Sequence, residues 1–251
     1  MYLNTDEDMD FIPIIPLNEQ EQDYGNETLI PSALPLMPLR NTVLFPGVVL
    51  PITVGRDKSI KAINDAYKTD KLVGVVAQKD SNVEDPQIKD LESIGTVARI
   101  IKLIKMPDGG TTVIIQGRKR FQIGKVLSED PYFKAEIQVL EEEKIPESED
   151  FKAYVSNIKE LAGQIVQLSP NIPTEAAIIL KNIENPSFLI NFVSSNLNTE
   201  LAEKQQLLQL NTLQERADLL MKLLQRELQF AELKNKVTNK TKTEIDKQQR
   251  E

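Results

Sequence analysis

No cysteine and no histidine occur among the 251 residues, and these two absences exclude more chemistry than any motif present supplies. Without thiols there are no disulfides and no zinc-thiolate centres. Without imidazole there is no Ser-His or Cys-His activation of a nucleophile and no histidine metal ligand. What survives is carboxylate chemistry, a Ser-Lys pair or oxygen ligation of calcium or magnesium, and the sequence holds no EF-hand spacing or comparable cluster. Catalysis by this chain alone is not expected. No apolar run approaches the length of a bilayer span. The opening MYLNTDEDMDFIPIIP is acidic where a secretory signal or transit peptide is basic, so a cytoplasmic chain without membrane contact is expected.

Positive charge is missing from residues 1–33, which hold eight acids (Asp6, Glu7, Asp8, Asp10, Glu19, Glu21, Asp23, Glu27) and no Lys or Arg. The rest of the chain balances at 30 basic against 30 acidic residues, which gives no support for a general polyanion-binding surface. The acidic extension reads as disordered, with one apolar island, FIPIIPL; it is either solvated or a docking peptide.

The stretch PLMPLRNTVLFPGVVLPITVGR is apolar yet interrupted by Pro35, Pro38, Pro46 and Pro51. Each proline removes a donor and clashes with the preceding helical turn, so no continuous helix forms here. Proline also leaves a gap in a ladder, which predicts edge strands and loops rather than a central strand. Further on, VVLPITV (48–54), LVGVVAQ (72–78), GTVARIIKLIKM, TTVIIQG, RFQIGKV and YFKAEIQVL read as short strands. Ile60, Ile63, Ala66 and Tyr67 recur at helical spacing and predict one inserted amphipathic helix. Pro107, Asp108, Gly109 and Gly110 predict a hairpin turn. The pattern points to a small barrel or sandwich.

After EEEKIPESED the period changes from two to 3.6. Helices are predicted over Phe151–Leu168, Thr174–Ile183, Ser187–Leu197 and ELAEKQQLLQ, with prolines at their boundaries. Thr212-x-x-Glu215 is a capping-box pattern, and with no later Pro or Gly it opens one long helix reaching Glu251. Leu213, Ala217, Leu220 and Leu224 form an apolar seam that couples this helix to the bundle, whereas its end is polar all round.

Gly117 and Gly124-Lys125 superficially resemble a phosphate-binding loop, but the spacing is wrong and Val126 stands where magnesium needs Ser or Thr. The cations of GRKR (117–120) read as a solvated face. No nucleic-acid partner is expected. Phe45, Pro46, Val48 and Pro51 serve either the core or an apolar patch at a sheet edge, and in the second reading they are the candidate substrate-binding residues for hydrophobic or extended peptide.

LPLMPLRNTVLFPGVVLPITVGRDKSIKAI, GVVAQK, IGTVARIIKLIKMPDGGTTVIIQGRKRF and LAEKQQLLQLNTLQERADLLMKLLQREL together resemble the N-terminal domain of the Lon family of ATP-dependent serine proteases. The resemblance implies an α+β chain: an acidic extension (1–33), a PUA-like small β-barrel with an inserted helix (34–143), a helical bundle (144–211) and a long helix (212–251) projecting toward an absent ATPase module. It further implies recognition of unfolded or degron-bearing polypeptide and assembly with other copies into a hexamer. No catalytic, metal or cofactor residue carries over to this chain; ATP and magnesium belong to the full-length protein. Two other classes fit in part: a stand-alone adaptor sharing the β domain, and a nucleic-acid-binding PUA module.

Overall fold

The computed structural model describes residues 29–105, 110–141, 144, 148–169, 172 and 175–248. The acidic extension up to residue 28 and the expected hairpin turn at Pro107, Asp108 and Gly109 lie outside the described residues. The chain divides into two compact units, Met1–Arg40 with Leu44–Val139, and Asn41–Val43 with Leu140–Glu251.

The first unit contains β1 (Ala33–Leu39), β2 (Val49–Val54), α1 (Asp57–Lys68), β3 (Leu72–Ala77), β4 (Ile94–Lys105), β5 (Thr111–Ser128) and β6 (Lys134–Val139). The strands form one six-stranded mixed sheet in the order β2-β5-β4-β3-β1-β6. This corrects the PUA-like small β-barrel expected from the sequence. β1 and β3 run parallel, and alternation of apolar residues along a strand fixes its faces but not its neighbours or their direction. The stretches TTVIIQG and RFQIGKV, read as two strands, are one 18-residue strand. β5 pairs with β2, β4 and β6, with register shifts opposite β4 and β6, and such bulges let a long strand bend from one neighbour to the next.

One cluster of this unit's core joins Leu34, Leu36, Leu72, Val97, Phe121 and Phe133. α1 buries Ala62, Ile63 and Ala66. Tyr67, expected on the same face, is exposed, with the Lys71 ammonium 5.3 Å from its ring centre. The Tyr132 hydroxyl donates to the Asp65 carboxylate and ties α1 to the β5–β6 connection. That bond, with lesser desolvation, raises the Tyr132 pKa.

The expectation that proline keeps its segment at an edge is corrected at β1, which has neighbours on both sides. Ala33–Pro35 pair with β6 and Leu36–Leu39 with β3. The Leu36 amide donates to Phe133 and the Leu39 carbonyl accepts from Gln78. Backbone groups alternate in direction along a strand, so Pro35 turns its nitrogen away from β6 and Pro38 turns its nitrogen away from β3. Each half is paired on the side where its proline has no donor to lose.

The second unit is helical: α2 (Glu149–Leu168), α3 (Glu175–Asn182), α4 (Pro186–Asn196), α5 (Leu201–Gln209) and α6 (Leu213–Gln248). Ser148 caps α2 by accepting the Phe151 amide, and Asn185 caps α4 by accepting the Phe188 amide ahead of Pro186 at the first turn. At α6 the Thr212 hydroxyl accepts the Glu215 amide and the Glu215 carboxylate accepts the Thr212 amide, each at 3.1 Å. Leu213, Ala217, Leu220 and Leu224 are buried, and α6 packs chiefly on α2. Further along α6, Phe230, Leu233 and Val237 are exposed.

Candidate functional site

The dipeptide Pro46-Gly47 makes a turn in which the Val48 amide donates to the Phe45 carbonyl at 3.2 Å. Proline presets the first corner, and Gly47 supplies φ 81° at the second, the requirement of a type II turn. The turn lies against β5: the Gly47 amide donates to the Gly117 carbonyl and the Gly117 amide to the Val48 carbonyl, both at 2.9 Å. On the other side the Thr96 hydroxyl donates to the Leu44 carbonyl at 2.6 Å in the interior. A Cβ at Gly117 would stand 2.2 Å from the Phe45 carbonyl oxygen, so this approach requires glycine.

Of the four candidate substrate-binding residues, Phe45 and Val48 are each 1% exposed, Pro46 is buried and Pro51 is half-buried. The structure brings all four to the turn and the strand it opens, but only Pro51 offers surface. β2 is the one described strand with a single strand neighbour. Because Val48 accepts from Gly117, Leu50, Ile52 and Val54 direct their backbone groups to β5. Val49, Pro51 and Thr53 direct theirs to the open side. The missing amide of Pro51 therefore falls on the side with no ladder, where it costs the sheet no hydrogen bond and leaves the carbonyls of that side as acceptors.

A second polar arrangement was not evident from the sequence. Gln78 is buried and organises the loop after β3: its amide donates to the Asp80 and Val83 carbonyls while its carbonyl accepts the Arg56 guanidinium at 2.6 Å. Arg40 reaches the same Val83 carbonyl at 3.5 Å. Burial, and then the charge of Arg40, lower the Arg56 pKa. Both arginines belong to the proline-rich stretch, Arg40 within it and Arg56 at its end, and that is the signal that could have drawn attention to them. In the second unit the Arg226 guanidinium holds both Glu203 carboxylate oxygens, at 2.8 and 2.6 Å, and Thr199 also donates to Glu203. These bonds, Arg226 first, hold the Glu203 pKa down to about 2. Among the described residues no group of three or more Asp or Glu is placed to hold a metal, and no helix is long and apolar enough to cross a membrane.

A family model described as the ATP-dependent protease La (LON) substrate-binding domain matches residues 33–226. Curated relatives include the Lon proteases of Flavobacterium johnsoniae, 52% identical, and Cytophaga hutchinsonii, 43% identical, each over 247 residues. Those alignments cover 98% of this chain and 30% of each relative, so the chain spans under a third of their length. Among solved structures, the N-terminal domain of Mycobacterium avium complex Lon protease aligns with a TM-score of 0.62 at 23% identity, covering 77% of this chain and 98% of that one. A Lon N-terminal domain protein from Xanthomonas campestris aligns at 0.56 with 18% identity, covering 75% and 96%. At these identities the likeness to the solved structures is one of fold.

Proposed function

Because this chain belongs to the family of Lon substrate-binding domains, we propose that it receives unfolded or degron-bearing polypeptide on behalf of an ATP-dependent serine protease of which it is the recognition part. ATP and magnesium act in the remainder of that protein, in the cytoplasm and within a hexamer, and α6 is the structural coupler that leads toward the ATPase module. The observation that carries the reading is the open side of β2. Pro51 and Thr53 turn their backbone carbonyls to it and Pro51 adds a half-buried ring, acceptors that serve an extended chain of any sequence. Phe45, Pro46 and Val48 hold β2 in place from the interior, while Pro51 makes the contact. Several apolar side chains and a few backbone bonds supply only a modest surplus over association entropy, so a single chain binds at about the micromolar level or weaker, roughly −8 kcal/mol or less in magnitude. Display on several copies strengthens it.

Fluorescence anisotropy with a permanently unfolded, alkylated protein tests this. The full chain binds at micromolar concentration, Pro51→Asp weakens binding about tenfold, and Ile178→Asp on the exposed part of α3 leaves it unchanged. Equal affinity of the Pro51 variant and the unchanged chain removes β2 from the site; no binding at all removes the recognition role.

A further inference from the structure

β4 and β5 together contain seven Lys or Arg (Arg99, Lys102, Lys105, Arg118, Lys119, Arg120, Lys125) and neither Asp nor Glu. Residues 1–28 have the opposite composition, eight acids and no base, while the chain from residue 29 onward is balanced. This pair of strands thus carries a local excess of positive charge, Arg120 of it in the interior, and the N-terminal segment a local excess of negative charge.

The register shows where the two could meet. Pro51 stands opposite Ile114, and Ile114 opposite Lys102; Thr53 stands opposite Thr112, and Thr112 opposite Ile104. Residues directly opposite share a face, so one face of β2-β5-β4 presents Pro51, Ile114 and Ile104, all half-buried, beside the exposed Lys102 and, one step along, the exposed Arg99. Ile101, in the bulge between them, is half exposed. This is an apolar strip flanked by cations. The N-terminal segment carries the complementary pattern, the apolar island Phe11–Leu17 with four acids on each side of it.

We propose that residues 1–28 dock on this face, the island Phe11–Leu17 against Pro51, Ile104 and Ile114 and the flanking carboxylates against Arg99 and Lys102. Leu17 lies twelve positions before Leu29, a span of about 40 Å when extended, more than the roughly 34 Å diameter of a compact sphere with the radius of gyration of about 13 Å typical of a 100-residue domain. Attraction between exposed charges of this kind is long-ranged at low ionic strength and collapses as the screening length falls to about 3 Å at 1 M salt.

The absence of cysteine makes the test direct. Ile15→Cys in the full chain, carrying a nitroxide label, broadens nearby amide resonances, and the experiment contains no polypeptide ligand, so it stands apart from the function proposed above. At low salt, amides of 99–104 and 112–116 lose more than half their intensity while those of α2 keep theirs. The loss disappears at 1 M salt and in the double variant Arg99→Glu, Lys102→Glu, but persists in Lys125→Glu. Broadening spread evenly over the chain, centred elsewhere, insensitive to salt, or present only between mixed labelled and unlabelled copies overturns the proposal. The salt arm requires no surface variant and decides the matter even if the double variant misfolds.

Discussion

A single methyl group at Gly117 decides whether the Phe45–Val48 turn can close. Its carbon would meet the Phe45 carbonyl oxygen, which is backbone and cannot rotate away. Gly117→Ala therefore destabilises the chain by about 1–3 kcal/mol, read by denaturant unfolding; an unchanged midpoint would show that the turn stands off from β5. Thr96→Val removes the buried hydroxyl that satisfies the Leu44 carbonyl and costs about 1–3 kcal/mol because that carbonyl loses its partner in the interior. The same two residues explain why the fate of Phe45 was not legible. The prolines excluded a continuous helix through this stretch, but whether the apolar residues around Pro46 face water depends on a glycine and a threonine distant in sequence. The edge position of Pro51 was legible, since a missing donor has few places to go.

Helices are legible at the scale of the element because their contacts are local. The 3.6 period, the prolines before α4 and the Thr212–Glu215 pair placed α2 to α6 within a few residues of their observed bounds. Strand pairing was less so: the mixed sheet in place of a small barrel, and β5 as one bent strand, arise from neighbours that no local pattern names. Leu220 in α6 is fully buried, so Leu220→Ala costs about 2–5 kcal/mol, measured as a lower unfolding midpoint. The Glu203–Arg226–Thr199 network joins α5 and the turn before it to α6. Its carboxyl titrates at about 2 in place of an ordinary 4.5, so the stability it contributes is complete above pH 4.5 and drains away as pH falls toward 2. The difference in melting temperature between the unchanged chain and Glu203→Gln should therefore be present at pH 6 and close by pH 2. A gap that persists at pH 2 would contradict the network's role.

For the whole molecule the polar inventory predicts that the purified chain hydrolyses neither ATP nor peptide; ATP turnover that Lys125→Ala abolishes would overturn this. If the acidic segment covers the face that carries Pro51, replacing its eight acids by Asn and Gln raises affinity for unfolded polypeptide several-fold at low salt, and an unchanged affinity would separate the two surfaces. The split pairing of β1 has a different consequence, one of time. Its second half pairs with Gly74–Ala77 and its first half with Lys134–Glu136, so β1 cannot complete its bonds until about 100 further residues have left the ribosome, an interval of roughly 5–20 s. Throughout it an apolar strand waits with open sides beside nascent chains on neighbouring ribosomes. Pro35 and Pro38, which cost the finished sheet no hydrogen bond, break the row of donors that such a chain would need, and they act as guards of the unfinished protein.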